Sequence, residues 1–258
     1  MADRENSLAV LIDYENLALG TGPRTRSGKQ TAGPAPDLKR ILERLVEKGR
    51  IASKRAYSDW SRFPEATSVL HELGIELTEI PSHTLSGKNS ADIKLVVDAM
   101  ELSYTKDNID TFVVVSGDSD FTPLVSKLKE NGKTVVGVGM RESTSDLLAA
   151  NCDEFIYYED IKADSQSAPV DLTGVAKRKQ PAFALLFETI EALQRENVER
   201  IHSSLIKDTM RRKQPSFTES TYGYRSFTQL LEEAAKLGFI TMHKDPRSGT
   251  WAVEGFAS

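Results

Sequence analysis

Leu8-Ala9-Val10-Leu11-Ile12 is an uninterrupted apolar run of strand length that ends on an acid, Asp13. A strand with one face in water alternates apolar and polar side chains, so a run without alternation belongs to a sheet covered on both faces, typically a parallel one. Thr111-Phe112-Val113-Val114-Val115 repeats the pattern and also leads into acids, in Ser116-Gly117-Asp118-Ser119-Asp120-Phe121. Further strands are expected at Ile51 to Tyr57, Ile75 to Ile80, Thr134 to Val138 and Phe155 to Tyr158. Helices alternate with them. Asp37 caps one whose apolar face is Leu38, Ile41, Leu42 and Leu45, and a second runs from about Phe63 to Leu73 and stops at Gly74. Ser90 caps a third, with Ile93, Val96, Val97 and Met100 on one face. A fourth carries Phe121, Leu124, Val125 and Leu128, and a short one covers Asp146 to Ala150. Gly20 to Pro36, rich in Gly, Pro and Thr, reads as a loop.

This alternation specifies an α/β fold, a doubly wound parallel sheet with helices on both faces. Right-handed crossovers leave few topologies, and the common order 3-2-1-4-5 sets the first and fourth strands side by side at the switch point, where ligands bind beyond the carboxyl ends. From Ile161 to Gln180 the periodicity fades into Ser, Pro, Gly, Lys and Arg, a linker. A different pattern follows. Phe183, Leu186, Phe187, Ile190 and Leu193 form one helical face, and Phe227, Leu230, Leu231, Ala234 and Leu237 another, closed by Gly238. Phe239 to Met242 and Thr250 to Val253 flank a Pro/Gly turn as a hairpin. Helices followed by a hairpin suggest a small C-terminal winged-helix domain. The expected organisation is therefore a domain over 1–160, a linker over 161–180 and a second domain over 181–258.

One cysteine, Cys152, excludes an internal disulfide framework and a Cys-rich zinc site, and points to a reducing compartment. The polar start and the absence of any apolar run of membrane-spanning length place the expected location in the cytoplasm, away from membranes. The net charge of −5 conceals unlike halves: from Lys177 onward there are 13 Lys and Arg against 10 Asp and Glu, net +3, so the rest carries −8. An acidic front and a mildly basic back suit a carboxylate-rich site joined to a binding module.

Asp13 and Asp118 end neighbouring strands in the expected order, Asp92 precedes Val96 by one helical turn on the same inward side, and Asp120 begins the helix after the fourth strand. Taken singly, Asp118, Ser119 or Asp120 fits a helix cap and Asp92 a partner for a helix dipole. Asp13 is harder to explain so, because an acid at the end of a buried strand needs a partner. Together the carboxylates repel, and a hard divalent cation, Mg²⁺ or Mn²⁺, relieves that repulsion while binding phosphate oxygens in turn. Such a cation can activate water against a phosphodiester, and no Ser/His or Cys/His nucleophile competes with that chemistry.

Ile12-Asp13-Tyr14-Glu15-Asn16, the Lys88/Asp92 segment and Val114-Val115-Ser116-Gly117-Asp118-Ser119-Asp120-Phe121 together resemble the NYN domain, a branch of the PIN-like nucleases, over roughly 7–160. The resemblance implies a PIN-like fold and a metal-dependent endoribonuclease acting on RNA. It makes Asp13, Asp92, Asp118 and Asp120 metal ligands or water activators, with Asn16 and Ser116 positioning them or a phosphate. Asp92 stands where PIN-like relatives often have glutamate, and its shorter reach bears on metal affinity. Gly223-Tyr224-Arg225-Ser226-Phe227-Thr228-Gln229-Leu230-Leu231-Glu232-Glu233-Ala234, with Gly238-Phe239-Ile240, resembles the OST-HTH or LOTUS domain over about 180–256. That resemblance implies a winged helix that binds RNA, or in some members protein, with Arg211, Arg212, Lys213, Tyr224 and Arg225 contacting phosphates and stacking on bases.

The alternative is a non-catalytic RNA or protein adaptor that keeps the fold. Gly22 to Lys29 mimics a phosphate-binding loop, but Ser27 takes the place of its second glycine and Gln30 follows the lysine. Arg24, Arg26 and Lys29 there read as solvated, and the four histidines lack metal-ligand spacing. Asp13-Tyr14-Glu15 has glutamate where a haloacid-dehalogenase phosphatase needs its second aspartate.

Overall fold

The computed structural model describes residues 6–20, 36–80, 90–164, 171–196, 198, 200–245 and 249–257. The loop expected over Gly20 to Pro36, with Arg24, Arg26 and Lys29, falls for residues 21–35 outside the described residues, as do Lys88 and Asn89. The chain divides into two compact units, Met1–Arg44 with Gly49–Ser167 and Leu45–Lys48 with Ala168–Ser258.

The first unit is built on six parallel strands: β1 (Ser7–Asp13), β2 (Arg50–Ser58), β3 (Glu76–Glu79), β4 (Thr111–Val115), β5 (Thr134–Gly139) and β6 (Glu154–Tyr157), in the order β3-β2-β1-β4-β5-β6. The expected order holds, extended by β6, and the switch point lies between β1 and β4. Leu8 to Ile12 and Phe112 to Val115 are fully buried, as their unbroken apolar runs require. The helices are α1 (Tyr14–Gly20), α2 (Leu38–Lys48), α3 (Pro64–Glu72), α4 (Ser90–Thr105), α5 (Thr122–Glu130), α6 (Asp146–Asn151) and α7 (Tyr158–Asp164). Asp37 caps α2 as expected, its carboxylate accepting from the Arg40 amide at 3.4 Å.

Three local expectations are corrected. α1 begins directly after β1 and was not evident in the sequence. The first residues of the expected linker are helical, in α7. The face of α4 is turned: Leu95, Ala99 and Leu102 are buried, whereas Ile93 is 62% and Val97 52% exposed. Apolar residues lie nearly all round α4, so period alone does not choose a face. The packing against β1, β2 and α5 does.

The second unit has the element order α8 (Gln180–Arg195), β7 (Ile201–His202), α9 (Ser203–Lys213), α10 (Phe227–Lys236), β8 (Ile240–Lys244) and β9 (Trp251–Phe256). Its small antiparallel sheet runs β7-β9-β8, so three helices and a three-stranded sheet make the winged-helix arrangement. Phe183, Leu186, Ile190, Phe217, Phe227 and Leu231 are among its core. Leu237, expected on that face, is instead 44% exposed, because α10 ends at Lys236 and Gly238, at φ +76°, turns the chain away. Among the described residues no helix is long and apolar enough to cross a membrane.

Candidate active site

β1 delivers Asp13 to the carboxyl edge of the sheet beside Tyr57 of β2, and Ile12 of β1 pairs with Val115 of β4. Asp13 is 6% exposed. Its Oδ1 accepts from the Asn16 amide at 3.1 Å, so Asp13 also caps the first turn of α1. Its Oδ2 accepts from the Ser116 hydroxyl at 2.9 Å, and Ser116 Oγ accepts from the Asp118 amide at 3.2 Å. The Asn16 side-chain carbonyl accepts from the Gly117 amide at 3.0 Å. Asn16 and Ser116 thus tie the end of β1 to the loop after β4, across about a hundred residues of sequence. Asp118 lies beyond the end of β4 and caps a short 3-10 turn, Ser119–Phe121, accepting from the Asp120 amide at 2.9 Å. Asp120 sits in that turn and is exposed.

Asp92 stands in the first turn of α4, one turn before Leu95 and two before Ala99 on the buried face. A polar tie behind it, not foreseen from the sequence, holds this helix. Tyr57, in register with Asp13, donates to Asp98 of α4 at 3.0 Å, and buried Asp98 also meets Lys94 at 2.6 Å and Arg55 at 3.5 Å. A buried carboxylate is tolerated only when paired in this way, so the tie helps hold α4, which carries Asp92 in its first turn, on the sheet. The signal was available: Asp98 interrupts the apolar face of α4 that Leu95 and Leu102 define.

The electrostatics show that the four acids share one neighbourhood. Burial, and after it the charges of Asp92 and Asp118, pushes Asp13 up to about 7 against the pull of its bonds from Asn16 and Ser116. Burial, then the charges of Asp118, Asp120 and Glu15, raises Asp92 to about 6. Yet among the described residues no three His, Cys, Asp or Glu side chains gather tightly enough to form a ligand set. The acids are close enough to repel one another without meeting at one point.

Gly117 is required by close packing. A Cβ there would come within 2.8 Å of the Ser143 carbonyl oxygen and 2.9 Å of Thr144 Cα, both backbone. Ser145 also donates its amide to the Gly117 carbonyl at 2.9 Å. Gly117→Ala is expected to destabilise by roughly 1–3 kcal/mol and to displace Asp118. A melting curve together with an activity assay checks this, and an unchanged melting temperature would refute it.

In the second unit the five residues expected to meet RNA are unlike in setting. Arg211 and Arg225 are exposed. Arg211, in the last turn of α9, stands 4.0 Å from Glu219, and the Arg225 amide donates to Gln229 Oε1 at 2.8 Å. Arg212 donates to Thr209 Oγ1 at 2.8 Å, and Lys213 pairs with Glu188 at 2.8 Å. Tyr224 is 6% exposed, with Lys179 Nζ 4.7 Å from its ring centroid, so its ring belongs to the core rather than to an open stacking surface.

The chain is similar to an uncharacterized protein of Methanocaldococcus jannaschii, 32% identical over 120 residues, which is 46% of this chain and 47% of that protein. The chain thus spans about half the length of that relative. It also resembles in fold a crystal structure of a protein of unknown function from Vibrio parahaemolyticus, with a TM-score of 0.52 and 23% identity over 62% of this chain and 98% of that one. The residues 7–159 that build the sheet and carry its acids match the model of the NYN domain, so this protein belongs to the NYN family, within the PIN-like nuclease superfamily.

Proposed function

We propose that this protein is a divalent-cation-dependent endoribonuclease that hydrolyses RNA phosphodiester bonds at the β1/β4 switch point. NYN domains are typically ribonucleases, and PIN-like nucleases generally use divalent metals. The observation that carries the reading is the placement of Asp13, buried at the end of β1 and held by the Asn16 amide and the Ser116 hydroxyl, at the switch point where the segment bearing Asp118 and Asp120 follows β4. The charges felt there are those of Asp92 and Asp118.

The donor set fits a hard cation: Asp13, Asp92, Asp118 and Asp120 offer oxygen alone, as Mg²⁺ or Mn²⁺ prefers. When bound, such an ion supplies a Lewis acid that stabilises charge on the attacked phosphate. The chain itself contributes orientation. Ser116 and the Asn16 amide hold the two oxygens of Asp13, and the bond from Gly117 to Asn16 keeps the loop bearing Asp118 against β1. The test is incubation of the purified protein with labelled single-stranded and structured RNA in Mg²⁺, Mn²⁺ or chelator. Cleavage that requires the cation is expected, and its absence with both ions would overturn the reading. The adaptor alternative, which binds RNA or protein without cutting, draws on the lack of a gathered ligand set among the described residues.

The C-terminal unit, with its resemblance to OST-HTH domains, is assigned to RNA recruitment through Arg211 and Arg225, the two exposed residues of the five; Lys213, its side chain only 5% exposed and paired with Glu188, is withdrawn as a phosphate contact. Tyr224 lies in the core of this unit rather than on a stacking surface. Phosphate contacts release counterions, so Arg211→Glu with Arg225→Glu is expected to weaken RNA binding and flatten its salt dependence by roughly one unit of slope for each phosphate no longer held. Filter binding of the full chain across a salt series, in an Asp118→Asn background, measures this. Equal affinities and slopes would remove the unit from RNA binding and favour a protein-docking role.

A further inference from the structure

Beside the acid crevice lies a groove that the proposed chemistry does not use. It has a volume of about 480 Å³ and is lined by Tyr14, Ala18, Leu38, Phe63, Ala66 and Val69 among others, where α1, α3 and the start of α2 meet. Tyr14, which lines it, follows Asp13 in the chain, and Arg62, which also lines it, pairs with Glu15. The Tyr14 ring packs against Trp60, with centroids 5.3 Å apart, and edge-on to Phe63 at 5.2 Å. Tyr14 and Ala18 are buried, Phe63 and Ala66 are half-buried, and Val69 is 54% exposed. At the rim Arg62 pairs with Glu15, and its guanidinium carbon stands 5.6 Å from the Phe63 centroid. Glu15 in turn lies near enough to Asp92 for its charge to be felt there. An ion pair therefore separates an acidic crevice from an aromatic slot.

We propose that this groove receives the nucleobase of an unpaired nucleotide adjacent to the phosphate attacked in the crevice. The inference rests on the ribonuclease reading and names a subsite for it. Continuity with the crevice through Asp13, Tyr14 and Glu15 places a base there when a phosphate faces the acids. The volume matches a small organic group of nucleotide size, and its lining of aromatic and aliphatic side chains offers the π-face contact that every base can use. Among the described lining residues Arg62 is the cation at this border. Its pair with Glu15 is a surface pair that exchanges partners at little cost, so an RNA phosphate can take the guanidinium. Stacking without edge readout makes the subsite tolerant of base identity and intolerant of a paired strand.

The test uses the full chain and two variants on the outer face of α3: Val69→Glu, at an exposed position, and Ala66→Trp, which fills the slot. Melting curves establish that both fold. Fluorescence anisotropy follows short labelled oligouridylate and oligoadenylate in the Asp118→Asn background. Both variants are expected to bind about 10-fold or more weakly, with little difference between the two bases. In the cleaving protein, one abasic nucleotide beside the scissile bond should raise KM, and Ala66→Trp should remove that sensitivity. Variants that bind and cleave unpaired RNA as the wild type does, with the same response to the abasic site, would overturn the inference and leave the groove to an apolar protein segment. A wild-type protein that binds RNA without cutting it refutes the nuclease reading instead, and the anisotropy comparison then still decides the subsite.

Discussion

Asp118→Asn is expected to reduce cation-stimulated RNA cleavage by ~100-fold or more while leaving the fold intact. Asparagine keeps the shape of the side chain and the oxygen that accepts from the Asp120 amide, so the 3-10 turn retains its cap. What disappears is a negative charge that raises both Asp13 and Asp92. Loss of that repulsion should leave the melting temperature without divalent cations unchanged or higher, corresponding to a gain of roughly 0.5–2 kcal/mol. Activity thus falls without a loss of stability, which separates a functional acid from a structural one. Single-turnover cleavage and thermal melts of the wild type, Asp118→Asn and Asp13→Asn supply the comparison. Cleavage that survives in both variants would place the chemistry elsewhere.

Without divalent cations the protein should lose stability as pH rises from about 4 to about 7, and Asp13→Asn should abolish most of that loss. Asp13 titrates near 7 in the folded chain, against an ordinary value of 3.8. Between those values the folded state holds a proton that the unfolded state has released. The contribution is therefore complete below about pH 4 and is lost as pH passes about 7, on the order of a few kcal/mol at a site this buried. Asp92, raised to about 6, acts in the same direction over a narrower window. A cation reverses the preference, because it favours the ionised carboxylates and displaces their protons. Mg²⁺ or Mn²⁺ should consequently raise the melting temperature more at pH 8 than at pH 5.5. Differential scanning fluorimetry across pH, with and without the ion, tests both statements. A wild type and an Asp13→Asn variant with parallel pH profiles would show that Asp13 ionises normally.

Much of the site was legible because its strands announce themselves. Leu8 to Ile12 and Thr111 to Val115 read as doubly covered strands, and two such strands at a switch point bring whatever follows them together. Asp13 and the Ser116 to Asp120 segment follow them directly. Asp92 was placed by a weaker route, since the apolar face it was read against was not the one that packs. Its position survives because one helical turn separates it both from Val96 and from Leu95. Tyr224 shows the opposite error. A tyrosine among arginines suggests stacking, but no local pattern records that its ring closes the core of the winged-helix unit.

Periodicity and chain order alone determined the α/β class, the strand order through the switch point, the existence of a second helical unit with a hairpin, and which acids follow which strands. These are consequences of local geometry: a two-residue repeat, a helical turn, and the handedness of crossovers. The tertiary structure decided the rest. It chose the buried face of α4 through its packing against β1, β2 and α5, added the Tyr57–Asp98 tie, and joined Asn16 to Gly117 and Ser116 to Asp13. It also raised Asp13 to about 7. Desolvation and charge repulsion depend on distances between segments far apart in sequence, and a packed core sets those distances only once all its parts are present.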